Sequence, residues 1–152
     1  MADNPYAGLR SMALGTTAEA LKLDALGPND CYGILMETGY EQAVATLVCF
    51  LSGDTSLYFS NGGGVIGAGQ HANVADAAKR FVTMGAKFVH EMREAAEAPL
   101  PALGVTIFYV LTTRARYAFD APETELGNSR SALSPLFHAA HEVIFNLRPL
   151  MR

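Results

Sequence analysis

The stretch from Gln42 to Gly69, QAVATLVCFLSGDTSLYFSNGGGVIGAG, constrains the fold of this chain more than any other. Its first part reads as two adjacent strands joined by the turn Ser52-Gly53-Asp54-Thr55, and its second part falls into Asn61-Gly62-Gly63-Gly64. The first strand of the pair is apolar on both faces. Ala43, Ala45, Leu47, Cys49 and Leu51 alternate with Val44, Val48 and Phe50. A half-solvated edge strand would show polar residues at every second position, so this run belongs inside a sheet covered on both sides.

The flanking segments extend the pattern. Cys31–Tyr40 is a β-rich run before it and Thr55–Ser60 follows, which makes a three-stranded antiparallel meander. Gly104–Thr112 is a further strand apolar on both faces, with Arg116–Asp120 as its hairpin partner. A turn about Gly39-Tyr40-Glu41 would set Cys31 opposite Cys49, and a slip of one residue would send the two thiols to different faces.

Helical periodicity occupies the remainder. Asn4-Pro5 offers a cap and a first-turn proline for a short helix ended by Gly15. Thr16 and Glu19 form a capping-box pair for a second helix to Leu26, or the two are one broken helix. Asn73 and Asp76 read as a capping pair for a long helix to about Ala96, with Val74, Ala77, Ala78, Phe81, Met84, Gly85, Phe88, Met92 and Ala95 on one stripe. Gly85 within that stripe fits a helix lying close on a sheet. A last helix starts near Ser131 or Ser134-Pro135 and runs to Leu147, after a polar loop APETELGNSRS of about ten residues. The expected fold is one α+β domain over residues 1–152, in the order α-βββ-α-ββ-α. Its five-stranded antiparallel sheet is packed by long helices as a sandwich.

Composition sets bounds on function. Half of the 152 residues are hydrophobic and 17% are charged, a balance that predicts apolar surface covered by a second copy of the chain or by a protein partner. Six basic residues face eleven acidic ones in the first hundred positions, and five face four beyond. Such a surface carries no footprint for a phosphate backbone, so nucleic acid is not an expected partner. No apolar run reaches membrane-spanning length, and MADNPYAGLR lacks the features of a signal peptide; both predict a cytoplasmic protein away from membranes.

Candidate chemistry concentrates at the glycines. Gly62-Gly63-Gly64-Val65-Ile66-Gly67 matches G-x-G-x-x-G in form. However, the expected helix starts six residues after the third glycine, and no acidic residue closes a second parallel strand, so no nucleotide cofactor is expected. The loop serves as a strand-to-helix connection, or its backbone amides and Asn61 receive a small anion or a partner's backbone. His71 is the one histidine beside it. His138 and His141 stand three apart, not in H-E-x-x-H spacing, and two cysteines are too few for a site of their own, so no metal is expected. Arg114 and Arg116 flank a hairpin turn and Arg130 precedes the last helix, a set able to hold a carboxylate or phosphate.

The sequence thus points to a non-catalytic binding or interaction module acting as a homodimer. The alternative is a small-ligand site or enzyme with a pocket at residues 61–71 formed by Asn61, Gly62, Gly63, Gly64 and His71, joined by Arg114 or Arg116. No residue is assigned a catalytic role.

Overall fold

The computed structural model describes residues 4–23, 26–27 and 30–151. It is an α+β fold with an antiparallel sheet and, among the described residues, four α-helices: α1 (Tyr6–Leu14), α2 (Ala72–Ala86), α3 (Glu123–Gly127) and α4 (Ser134–Leu147). The strands are β1 (Cys31–Gly39), β2 (Val44–Phe50), β3 (Thr55–Phe59), β4 (Gly64–Val65), β5 (Arg93–Glu94), β6 (Val105–Thr112) and β7 (Arg116–Pro122). They form one sheet in the order β4-β3-β2-β1-β6-β7-β5. The sheet therefore has seven strands rather than the expected five. Both additional strands are two-residue edge pieces, too short to leave a period in the sequence.

All nine residues of β1 are buried, because β2 and β6 flank it and both sheet faces are covered. On one face Ile34, Met36, Leu47, Cys49, Leu57, Phe108 and Val110 meet the apolar stripes of α2 and α4. On the other, Tyr32, Leu35, Val48, Tyr58, Ile107 and Tyr109 meet Tyr6, Ala13 and Ala18, with Leu9, Leu14, Leu21, Leu23 and Ala98 packed alongside. The second face is thus closed by the chain's own N-terminal segment and by the stretch before β6.

The β1–β2 register differs from the expected one. Tyr40 N–H donates to the Ala43 carbonyl at 3.0 Å, and Cys49 stands opposite Ile34. An offset of three residues would normally turn Cys31 to the other face. A bulge between Cys31 and Gly33, seen in the pairing of β1 with β6, turns it back. Tyr32 packs in the N-terminal-side core, Cys31 joins Cys49 in the helix-side core, and both thiols are free.

Helix α1 ends at Gly15 as expected, whereas Pro5 rather than Asn4 occupies its cap position; Asn4 Oδ1 still accepts the Tyr6 N–H at 3.0 Å. The helix expected from Thr16 to Leu26 is replaced by turns over Ala18–Lys22. Thr17, not Thr16, accepts the Ala20 N–H, and Lys22 adopts a left-handed φ of 59° that halts helical propagation. Asp24 and Ala25 of that expected helix, and Pro28 at its end, lie outside the described residues.

Helix α2 ends at Ala86, ten residues short of the expected Ala96. The chain instead passes through a 3-10 turn at Val89–Glu91 into β5, where Ala95 N–H donates to the Arg116 carbonyl at 2.8 Å. Pairing with the open edge of β7 captures a segment whose side-chain pattern also suits a helix. Nor do Asn73 and Asp76 cap α2. His71 occupies the cap position without a side-chain bond, and the Asn73 amide reaches Asn146 Oδ1 at 2.9 Å. The polar loop after β7 is partly helical, as α3, because Leu126 is driven fully into the core. Among the described residues, no helix is long and apolar enough to cross a membrane.

Candidate functional site

Helix α1 runs lengthwise over the N-terminal-side face and meets a different hollow at each end. At its start, Pro5, Tyr6 and Leu9 face Tyr58, Phe59, Ile66 and the backbone of Gly62, Gly63 and Gly64 across about 100 Å3. Asn4 ties the helix to this hairpin by donating from Nδ2 to the Ser60 carbonyl at 2.8 Å. At its end, Leu14 and Tyr32 face Leu111 and the β6–β7 turn, including Arg114 and Arg116, across about 210 Å3.

The residues expected to converge are therefore divided. Gly62–Gly64 sit beyond the Phe59 end of β3, whereas Arg114 and Arg116 sit at the opposite end of the sheet, and four strand spacings, roughly 19 Å, separate β4 from β6. Asn61 is exposed beside the glycines without lining the hollow. His71 is exposed at the head of α2 and lines neither hollow. Arg130 lies between α3 and α4, away from the arginine turn.

Sequence reasoning missed a buried, multiply bonded carboxylate. Glu37 lies within β1, two residues before its end, with no exposure to solvent. Arg10 donates from Nε to Oε2 at 2.6 Å and from Nη2 to Oε1 at 2.8 Å; Thr46 Oγ1 donates to Oε2 at 2.9 Å. Tyr6 and Thr46 share a hydroxyl–hydroxyl bond of 2.7 Å, and Arg10 Nη2 also reaches the Ala98 carbonyl at 2.8 Å. Burial pushes the Tyr6 phenol above its ordinary range. The signal was present in the sequence: a lone carboxylate within the apolar run GILMETG must be paired if it is buried.

Glu37 is sealed from solvent and held by three donors, so its carboxylate is not open to a substrate from solution. The thiols are also poor nucleophiles. Burial pushes Cys31 up to about 12, against a partial offset from the Gly33 backbone, and burial pushes Cys49 up as well. His141 packs its ring 4.3 Å from that of Phe137 and leaves Nε2 buried without a hydrogen-bond partner among the described residues. No group of three His, Cys, Asp or Glu side chains among the described residues is arranged to hold a metal ion.

A groove of about 240 Å3 flanks α1 on its other side, lined by Tyr6, Ala7, Arg10, Ser11, Leu14, Ala98 and Leu100. Met12, Ile66, Leu100, Leu103 and Phe145 each leave at least half of their surface to solvent, and Tyr40 nearly half. No family model, curated protein or solved structure matches this chain.

Proposed function

We propose that this chain is a single-domain, non-catalytic interaction module that works as a homodimer, with the surfaces left outside its two cores also open to a protein partner. The carrying observation is the distribution of apolar side chains. Both sheet faces are sealed within the chain, yet Met12, Ile66, Leu100, Leu103 and Phe145 remain on the outside. The dimer must then use the outer surface of the fold rather than a bare sheet face, a revision of the expectation drawn from composition. The unpaired state of both thiols suits a reducing, cytoplasmic compartment. Sedimentation at micromolar concentration tests this reading. A species of twice 16.2 kDa is expected, and a strict monomer at every concentration overturns it.

A second reading is favoured by the hollow at Gly62–Gly64, where backbone and two tyrosine-bearing elements enclose space for a ligand of few atoms. Titration with inorganic phosphate and with acetate, read at the backbone amides of residues 61–64 by NMR, tests it. Saturable shifts confined to these residues support a small-anion site, and their absence removes it.

A further inference from the structure

The outer face of α2 carries a charge pattern that complements itself. Lys79, Arg80, Thr83, Met84 and Lys87 line a shallow groove of about 340 Å3. Lys79 and Lys87 are eight residues apart, which places their ammonium-bearing positions about 12 Å apart along the helix axis. Neither makes an ion pair among the described residues; Arg80 reaches Glu142 at 3.2 Å, both groups being more than half exposed. Asp76 lies at the head of the same face.

Past the end of α2 the sign reverses. Glu91 is exposed, with His90 as a distant partner at 3.8 Å. Glu94 stands opposite Tyr117 in the β5–β7 pair, and paired residues share a sheet face. Tyr117 packs into the helix-side core, so Glu94 rises on the same side of the sheet as α2. Phe88 and Val89 lie between Lys87 and Glu91, and Met92 between Glu91 and Glu94; each is half-buried and packed at the margin of that core.

We propose that this basic–apolar–acidic band is the isologous interface of a homodimer. The inference rests on the homodimer reading above and names for it a surface apart from Met12, Ile66, Leu100, Leu103 and Phe145, which stay open to a protein partner. A two-fold axis through the middle of α2 would set Lys79 and Lys87 against themselves. An axis near Phe88 and Val89 instead places the cations of one copy over Glu91 and Glu94 of the other, twice over, with the apolar centres in contact. An apolar middle with a charged rim is the usual anatomy of a protein interface. The acidic half of the band also disfavours a polyanion as occupant of the basic half.

Charge reversal tests the assignment. Lys79→Glu/Lys87→Glu and Glu91→Lys/Glu94→Lys are each expected to raise the dimer dissociation constant by at least about tenfold. An equimolar mixture of the two is expected to recover dimers, because only the mixed pair restores unlike charges. Circular dichroism checks that each variant folds, and Lys79→Gln/Lys87→Gln, expected to weaken the dimer less, serves if reversal disturbs α2. A wild-type monomer overturns this inference together with the homodimer reading. A wild-type dimer that either reversal leaves intact, or a mixture that fails to reassociate, overturns the interface alone.

Discussion

Arg10 grips Glu37 by a two-pronged contact from α1 to β1, its Nε and Nη2 on separate carboxylate oxygens at 2.6 and 2.8 Å. The pair closes the N-terminal-side core, since the carboxylate has no exposure and its remaining donor is Thr46. Desolvating two charges is costly, so the pair adds little net stability; its consequence is that α1 cannot leave without stranding a buried charge.

Removing one partner should therefore cost far more than removing both. Arg10→Ala is expected to lower unfolding free energy by about 3–5 kcal/mol, and Arg10→Met with Glu37→Leu to recover most of that loss. Urea denaturation of the three proteins checks the order. An Arg10→Ala protein as stable as the parent would mean that Glu37 finds water or another donor, and that α1 is not fastened by this contact.

The thiols supply a second expectation. Cys31 and Cys49 are buried in the helix-side core, and burial holds both well above the ordinary thiol range. Labelling by a disulfide reagent at pH 8 should run at least about a thousandfold slower in the native protein than in urea, at a rate set by opening of the core. The same shift has a pH sign. A folded-state value raised to about 12 for Cys31 means that its stabilising share is complete below the unfolded thiol value and lost as pH rises toward 12. Alkaline unfolding should shift to higher pH in Cys31→Ala/Cys49→Ala, measured against its own stability at pH 7. Rapid native labelling would show instead that the sheet opens locally at Cys31.

How much of this was legible in the chain depends on the range of each interaction. The two-faced alternation of β2 and the stripe of α2 are local patterns: Leu47, Val48, Cys49 and Phe50 are buried as expected, and so are Val74, Ala77, Ala78, Phe81 and Gly85, while Val44, Ala45 and Met84 are partly buried. Gly85 was legible too, since a Cβ there would meet Ile34 Cδ1, the close helix-to-sheet approach that its place in the stripe implies. The segment from Lys87 to Ala96 was not. Its spacing suits a helix, but the unpaired edge of β7 draws it into a strand, and no local pattern reports an edge far along the chain. Register escaped for a related reason. The turn residues bounded it within a few positions, whereas the bulge at Cys31–Gly33 exists only in the context of β6. Among the candidate site residues, the glycines do border a hollow, while Arg114 and Arg116 lie at the other end of the sheet because the β6–β7 turn points that way.

His141 gives the acid limb of the stability profile. Burial lowers its value below the ordinary imidazole range; Glu123 pulls the other way, and His138 and Arg148 add to the depression. Because the folded value is lowered, the stability conferred by the neutral ring is complete above about pH 6.5 and is lost as pH falls through the folded value. His141→Leu should flatten the change in urea midpoint between pH 7.5 and pH 5. It should also raise stability near neutrality by about 1 kcal/mol, since the orphaned Nε2 is removed. An unchanged acid limb would assign the pH dependence to other groups.

The glycine hairpin separates structure from binding in two neighbouring substitutions. A Cβ on Gly64 would be driven into the Leu57 carbonyl oxygen and lie 3.1 Å from Tyr58 Cα, at a backbone φ of 152°. Gly64→Ala must therefore lift β4 from β3, at a cost of about 1–3 kcal/mol. At Gly63 the nearest atom to a new Cβ is Phe59 Cδ2 at 3.9 Å, an ordinary contact, and the backbone is not left-handed. Gly63→Val is expected to change stability by less than about 1 kcal/mol while placing two methyl groups at the mouth of the hollow. Thermal melts of both variants, followed by the phosphate and acetate titrations, decide what the glycines are for. A folded Gly63→Val that abolishes saturable shifts seen in the parent assigns the hairpin to ligand binding. A Gly63→Val that unfolds, or a parent that shows no shifts, returns the run to a purely structural role at the sheet edge.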